Sequence, residues 1–137
     1  MLKTPGILFL CVHNAGRSQM AAGFAKHLGG EGVRVFSGGS EPANQVNSAA
    51  VEAMSEMGID ISSMVPQAWT MEQIEAVDVV VTMGCGDTCP YIPGKRYLEW
   101  TLDDPAGESV QGIRPIRDEI ERLVRDLLID LGVNLNQ

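Results

Sequence analysis

Short continuous apolar runs alternate with helical stripes along the whole of this chain. Ile7-Leu8-Phe9-Leu10 is apolar on both faces, as a buried parallel strand is, and predicts a strand over about Gly6 to Val12. Met20, Ala21, Phe24, Ala25 and Leu28 then recur at helical spacing. They predict a helix from about Arg17 to Leu28, ended by Gly29-Gly30-Glu31-Gly32. Val33-Arg34-Val35-Phe36 reads as a second strand, closed by a turn at Ser37-Gly38-Gly39-Ser40. A helix from about Asn47 to Met57 would turn Ala50, Val51, Met54 and Met57 inward and stop at Gly58. Met71 to Ala76 reads as a short helix. Asp78 to Met83 is a second buried strand, and Tyr97 to Trp100 a weaker last one. Ile113, Ile116, Ile120, Leu123, Val124, Leu127 and Leu131 form the stripe of a long helix over about Gln111 to Leu131. Pro115 would fall in its first turn, where a missing N–H is tolerated.

Strands alternating with helices predict an α/β fold: a four-stranded parallel sheet with helices on both faces, a three-layer sandwich. At 137 residues the chain has the length of one domain, spanning 1–137. Ligands of such sheets bind beyond the carboxyl ends of the strands, where strand order reverses. The loop after the first strand would lie there.

Charge narrows the partners. The formal net charge is −8, which argues against nucleic acid or an acidic membrane surface. No apolar run is long enough for a membrane span. The short apolar run near the start enters the first strand directly and reads as that strand, not as a signal peptide. Three cysteines is an odd number, unsuited to a framework of structural disulfides, so a reducing cytoplasm with reactive thiols is expected.

The chemistry concentrates in Cys11-Val12-His13-Asn14-Ala15-Gly16-Arg17-Ser18. A thiol ends a strand, five loop residues follow, and an arginine opens a helix. The successive N–H groups of Val12, His13, Asn14, Ala15 and Gly16 can turn inward as an anion nest, to which the helix adds its positive end. Arg17 offers a planar fork matched to two oxygens of a tetrahedral anion. Gly16 admits a backbone angle other residues resist, and Asn14 tolerates a left-handed conformation. The same positive field favours the Cys11 thiolate, and Ser18 can add a hydrogen bond to it. The bland alternative, a buried Cys and a surface Arg at chance spacing, leaves Gly16, Ser18 and the flanking elements without a role.

Cys11 to Ser18, continuing as Gln19-Met20-Ala21, resembles the signature of the low-molecular-weight tyrosine phosphatase superfamily. The Arg17-Ser18-Gln19-Met20-Ala21 continuation is closer to its arsenate reductase branch; the phosphatases usually place Pro where Gln19 stands. Ser37-Gly38-Gly39 is similar to that family's Ser-Ala-Gly turn, and Asp103-Asp104-Pro105-Ala106-Gly107 to its acid loop. The resemblance runs the length of the chain and implies the same four-stranded sheet. Ala22 stands where some members carry an acidic cation ligand, so no cation site is expected.

Cys85 and Cys89 follow the third strand in Gly84-Cys85-Gly86-Asp87-Thr88-Cys89-Pro90. Two cysteines four apart in a glycine-containing loop can approach disulfide distance. If the first and third strands are neighbours, Cys85 leaves the same sheet edge as Cys11. Reducing arsenate to arsenite takes two electrons, and two thiols becoming a disulfide release two. The resemblance to thioredoxin-linked reductases carries three relay roles over to Cys11, Cys85 and Cys89. It implies thioredoxin, thioredoxin reductase and NADPH as an external electron source, with no bound cofactor. A zinc site from Cys85, Cys89 and Cys11 or His13 is the competing reading. It lacks a second close pair, and the metal would fill the cup.

Pro105 directs Asp104 towards an extended conformation, and near a bound anion Asp104 could serve as general acid. Asp103 reads as a turn residue. His13 faces either the cup or solvent; His27 reads as a surface residue, and Trp69 and Trp100 as packing. The expectation is a cytoplasmic arsenate reductase taking arsenate, with phosphate or sulfate competing, through Cys11, Arg17, Ser18, Cys85, Cys89 and Asp104. The alternatives are a low-molecular-weight tyrosine phosphatase and a non-catalytic oxyanion or zinc sensor.

Overall fold

A computed structural model of the protein describes residues 4–84 and 93–136. Within them the chain runs β1 (Gly6–Cys11), α1 (Arg17–Gly29), a 3-10 turn (Gly30–Gly32), β2 (Arg34–Gly39) and α2 (Ser48–Ser55). It continues with α3 (Met71–Ala76), β3 (Val79–Thr82), β4 (Arg96–Glu99) and α4 (Val110–Asp130). The strands form one parallel sheet in the order β2-β1-β3-β4, so β1 and β3 are neighbours, with Leu10 opposite Thr82. The order reverses direction at β1, and the loop after Cys11 leaves the sheet at that switch point.

Alternate strand residues feed two cores. Ile7, Phe9, Cys11, Val79 and Val81 face the larger one, closed by α1, α2 and α4. Leu8, Leu10 and Val80 face a smaller one with Ile74 and Val77, covered in part by Trp69. Ile7 to Leu10 are wholly buried, and each such side chain contributes about 1.5–3 kcal/mol. The Phe9 and Trp100 rings pack 5.9 Å apart, so Trp100 is a core residue as expected. Among the described residues no helix is long and apolar enough to cross a membrane.

Four expectations are corrected. The second strand does not close at Ser37; it runs on through Gly38 and Gly39, with Cys11 opposite Gly39. Glycine here serves close approach instead of a turn. A Cβ on Gly38 would sit 2.8 Å from the Trp69 backbone, and one on Gly39 would sit 2.6 Å from the Val12 carbonyl. Helix α2 ends at Ser55, so Met57 is exposed, and Ala53 joins Ala50 and Met54 inside. Gly58 does take a positive φ, 75°, just beyond. Helix α4 begins at Val110, capped by Ser109, so Pro115 lies past the first turn. Its missing N–H costs little because Gln111 and Pro115 are both exposed and water can serve the free carbonyl. The α4 stripe also includes Leu128 and Arg117, while Leu123 is half-buried.

Candidate active site

The loop from Cys11 to Arg17 is held from outside by its carbonyls. The Val12, His13 and Ala15 carbonyls accept from the N–H groups of Glu41, Ala43 and Asn47, at 2.8, 3.0 and 2.9 Å. The Asn14 carbonyl accepts from Gln19 Nε2 at 3.0 Å, and that of Gly16 from the Met20 N–H at 2.9 Å. With every loop carbonyl taken, the N–H groups of His13, Ala15, Gly16, Arg17 and Ser18 have no acceptor among the described residues. That is the condition for an anion nest, and α1 begins there with no side-chain cap to compete.

Asn14 departs from the expected set. Its N–H donates to Cys11 Sγ at 3.2 Å, and its side chain lies buried behind the loop. It takes the positive φ that its residue type allows, 50°. Its Nδ2 donates to Ser18 Oγ at 2.7 Å, and Ser18 Oγ lies 2.8 Å from Cys11 Sγ. A hydroxyl that accepts from an amide has its own hydrogen free, so Ser18 can donate to the sulfur. Two donors thus converge on Cys11, which is 3% exposed.

Gly16 stays at negative φ, −127°, with ψ −86°, outside the helical and extended regions. What it supplies is room: a Cβ there would lie 2.7 Å from Pro105 Cγ. Arg17 is nine-tenths buried, and its guanidinium forms no hydrogen bond or ion pair among the described residues. It lies against Gly84, where a Cβ would collide with Nη1. Gly84, at φ 87°, is the residue before Cys85.

A cavity of about 40 Å³ opens over the loop, lined by Cys11, His13, Ala15, Gly16, Arg17, Asn47, Asp104, Pro105 and Ala106. It suits a small anion; drug-sized ligands occupy about 300 Å³ or more. Asp104 is exposed and at the rim, with one carboxylate oxygen accepting the Ala106 N–H at 2.9 Å. His13 lines the cavity, and its Nδ1 donates to the Glu41 carbonyl at 3.0 Å. Val12 is half-buried and packs into the smaller core. Cys85 and Cys89 lie outside the described residues. Among the described residues no group of three His, Cys, Asp or Glu could hold a metal.

Sequence reasoning missed three members of the site. Asn47 caps α2 with its side chain, binds the Ala15 carbonyl through its N–H and lines the cavity. Its place at a helix start was the available signal. Gln67 donates its N–H to Asn14 Oδ1 at 3.0 Å from a distant segment, and no local pattern announces it. Pro105 was read only as orienting Asp104, yet it is buried against Gly16.

A buried cysteine sulfur beneath a loop of N–H groups unpaired among the described residues, at the switch point of a four-stranded parallel sheet, points to a class. The model of the low molecular weight phosphotyrosine protein phosphatase family matches residues 6–137, and the chain belongs to that family of enzymes. Within it, arsenate reductase 2 of Staphylococcus epidermidis is 41% identical over 122 residues, 86% of this chain and 92% of its own length. A thioredoxin-dependent arsenate reductase of Corynebacterium glutamicum shares the fold with TM-score 0.81 and 41% identity; the match covers 96% of this chain and 63% of that one. An arsenate reductase in the phosphate-binding state gives TM-score 0.80 at 34% identity, over 92% of this chain and 98% of that one.

Proposed function

We propose that this chain reduces arsenate to arsenite in the cytoplasm, through a three-thiol relay renewed by thioredoxin. The observation that carries the relay is the neighbourhood of Arg17. β3 runs beside β1, and the chain leaves it through Gly84, against the guanidinium, with Cys85 the next residue. The residue before Cys85 in the chain therefore lies against the arginine that would hold the anion. The relatives named above are arsenate reductases, and one of them is thioredoxin-dependent.

Arsenate would enter with its oxygens on the nest N–H groups and the Arg17 fork. The Cys11 thiolate attacks arsenic, an S–As bond forms, and an oxygen leaves as water with a proton from Asp104. The Cys85 thiolate then attacks Cys11 Sγ. The S–S bond forms as the S–As bond breaks, and its electron pair leaves with arsenic, now arsenite. Cys89 attacks Cys85, the Cys11 thiolate returns, and the Cys85–Cys89 disulfide passes to the thioredoxin dithiol by exchange. Ser18 and the Asn14 N–H stabilise Cys11 as it leaves. No bound cofactor is needed; NADPH enters only through thioredoxin reductase. A reducing cytoplasm suits free thiols of this kind.

The test is arsenate turnover with thioredoxin, thioredoxin reductase and NADPH. Cys11→Ser should show no turnover above background, and Cys89→Ser at most one arsenite per enzyme. Sustained turnover by Cys89→Ser would overturn the relay. The family's phosphatase chemistry is the second reading. It requires efficient hydrolysis of p-nitrophenyl phosphate by a variant lacking both Cys85 and Cys89, with no arsenite formed by the wild type.

A further inference from the structure

Gln19 is 1% exposed, and its Oε1 finds no hydrogen-bond partner among the described residues. Its nitrogen is doubly engaged: Nε2 donates to the Asn14 carbonyl at 3.0 Å and to Asn14 Oδ1 at 3.1 Å. The opposite amide orientation would set Oε1 against two acceptors, so the network fixes which end is nitrogen. A buried acceptor left unpaired is costly, and such exceptions call for an explanation.

The explanation lies in what Asn14 holds. Its Nδ2 occupies the Ser18 oxygen and so leaves the Ser18 hydrogen for Cys11 Sγ, while its own N–H reaches the same sulfur. Both donations depend on the orientation of one residue at positive φ. Gln67 fixes Asn14 Oδ1 from one side only. Gln19 is the group that binds the carbonyl and the side-chain oxygen together.

We propose that Gln19 is a positioning residue. Its two N–H groups lock Asn14, which commits the Ser18 hydroxyl as a donor to Cys11. Gln19 does not line the cavity and acts only through Asn14. Among the described residues the charged or titratable groups that line the cavity with Cys11 are Arg17, Asp104 and His13, and Gln19 bonds to none of them. The inference rests on Cys11 as the nucleophile, which the reductase and phosphatase readings share.

The experiment follows Cys11 alone, by iodoacetamide alkylation of the full chain with peptide-resolved mass spectrometry, over about pH 5 to 10. Gln19→Met keeps length and removes both donors. The Cys11 rate at pH 7 should fall about tenfold, with the pH profile displaced to higher pH. Ser18→Ala should produce a loss of similar size. Adding Gln19→Met to Ser18→Ala should cost less than about threefold more, because both changes act on one chain of bonds. Gln19→Glu keeps the shape but sets a carboxylate against two oxygens, and should lose at least as much. If Gln19→Met does not fold by circular dichroism, Gln19→Glu decides on the same readings. A folded variant alkylating like the wild type would overturn the proposal, and so would a Gln19→Met effect of equal size with and without Ser18. Absence of arsenate reduction by the wild type, with the coupling intact, would instead count against the reductase reading alone.

Discussion

The anion loop and the acid loop meet over one cavity but are built in opposite ways. From Val12 to Gly16 every carbonyl is bonded outward, and Asn14, Arg17, Ser18 and Gln19 are buried. From Asp103 to Glu108 only Pro105 is buried, and the ordering bonds are local, Ala106 to Asp104 and Glu108 to Pro105. The difference fits the two tasks proposed above. Holding charge in a transition state requires dipoles fixed in advance. Delivering a proton, the role proposed for Asp104, requires only reach, and Asp104 is placed by the Ala106 N–H and by Pro105 against Gly16. Substitutions in the first loop should therefore damage binding and chemistry together, and substitutions in the second should damage chemistry alone.

Arg17→Lys puts the first half of that contrast to the hardest test. Lysine keeps the charge and loses the planar fork. Arg17 is nine-tenths buried with its guanidinium against Gly84, so a shorter-reaching ammonium has few ways to compensate. kcat/KM for arsenate should fall by about 10²-fold or more, with KM and kcat both affected. Steady-state kinetics check this, and a drop confined to kcat would break the comparison.

Asp104→Asn probes the other half. The carboxamide can still accept the Ala106 N–H, so the loop should keep its shape. It has no proton to give. Arsenite release in a single turnover, measured in the Cys89→Ser background, should slow by about 10²-fold. The Kd of the competing anion phosphate should move by less than about twofold. A large rise in that Kd would mean that Asp104 belongs to the binding machinery after all.

The same contrast explains what could be read from the sequence. The loop geometry is local: Cys11, the loop, Arg17 and Ser18 lie within one stretch, so spacing was enough to place a candidate anion nest there. Strands and helices appeared because burial on two faces and on one stripe leave different periods. What stayed hidden joins distant segments. Gln67 reaches Asn14 across 53 positions, and Pro105 reaches Gly16 from a different element. Gly38 and Gly39 misled for a related reason. Glycine marks turns locally, but here it allows Trp69 and Val12 to approach a strand. Arg117 was invisible within an apolar stripe because, besides its neighbour Asp118, its partners are the Ala53 carbonyl on α2 and Glu56 at that helix's C-cap.

That last cluster also connects the two loops, and it yields the smallest expected effect. α2 carries Asn47 at its cap, on the wall of the cup, while α4 follows the acid loop. Glu56 ties them, accepting from Arg114 Nη2 at 2.6 Å and from Arg117 Nη1 at 2.7 Å. Hydrogen bonds from Arg114 and then Arg117 hold its carboxyl down at about 2, from an ordinary 4.5. A lowered carboxylate adds stability that is complete above about 4.5 and lost as pH falls towards 2. Glu56→Gln should therefore lower the melting temperature slightly at neutral pH and flatten the acid side of its pH dependence. Thermal melts from about pH 7 down to pH 3 measure both. Arsenate kinetics at pH 7 should stay within about twofold of the wild type, because the bonds from Glu41, Ala43 and Asn47 remain in place. A larger change in KM would show that the cup's rigidity is borrowed from the α2–α4 tie, and not made within the loop and its neighbours.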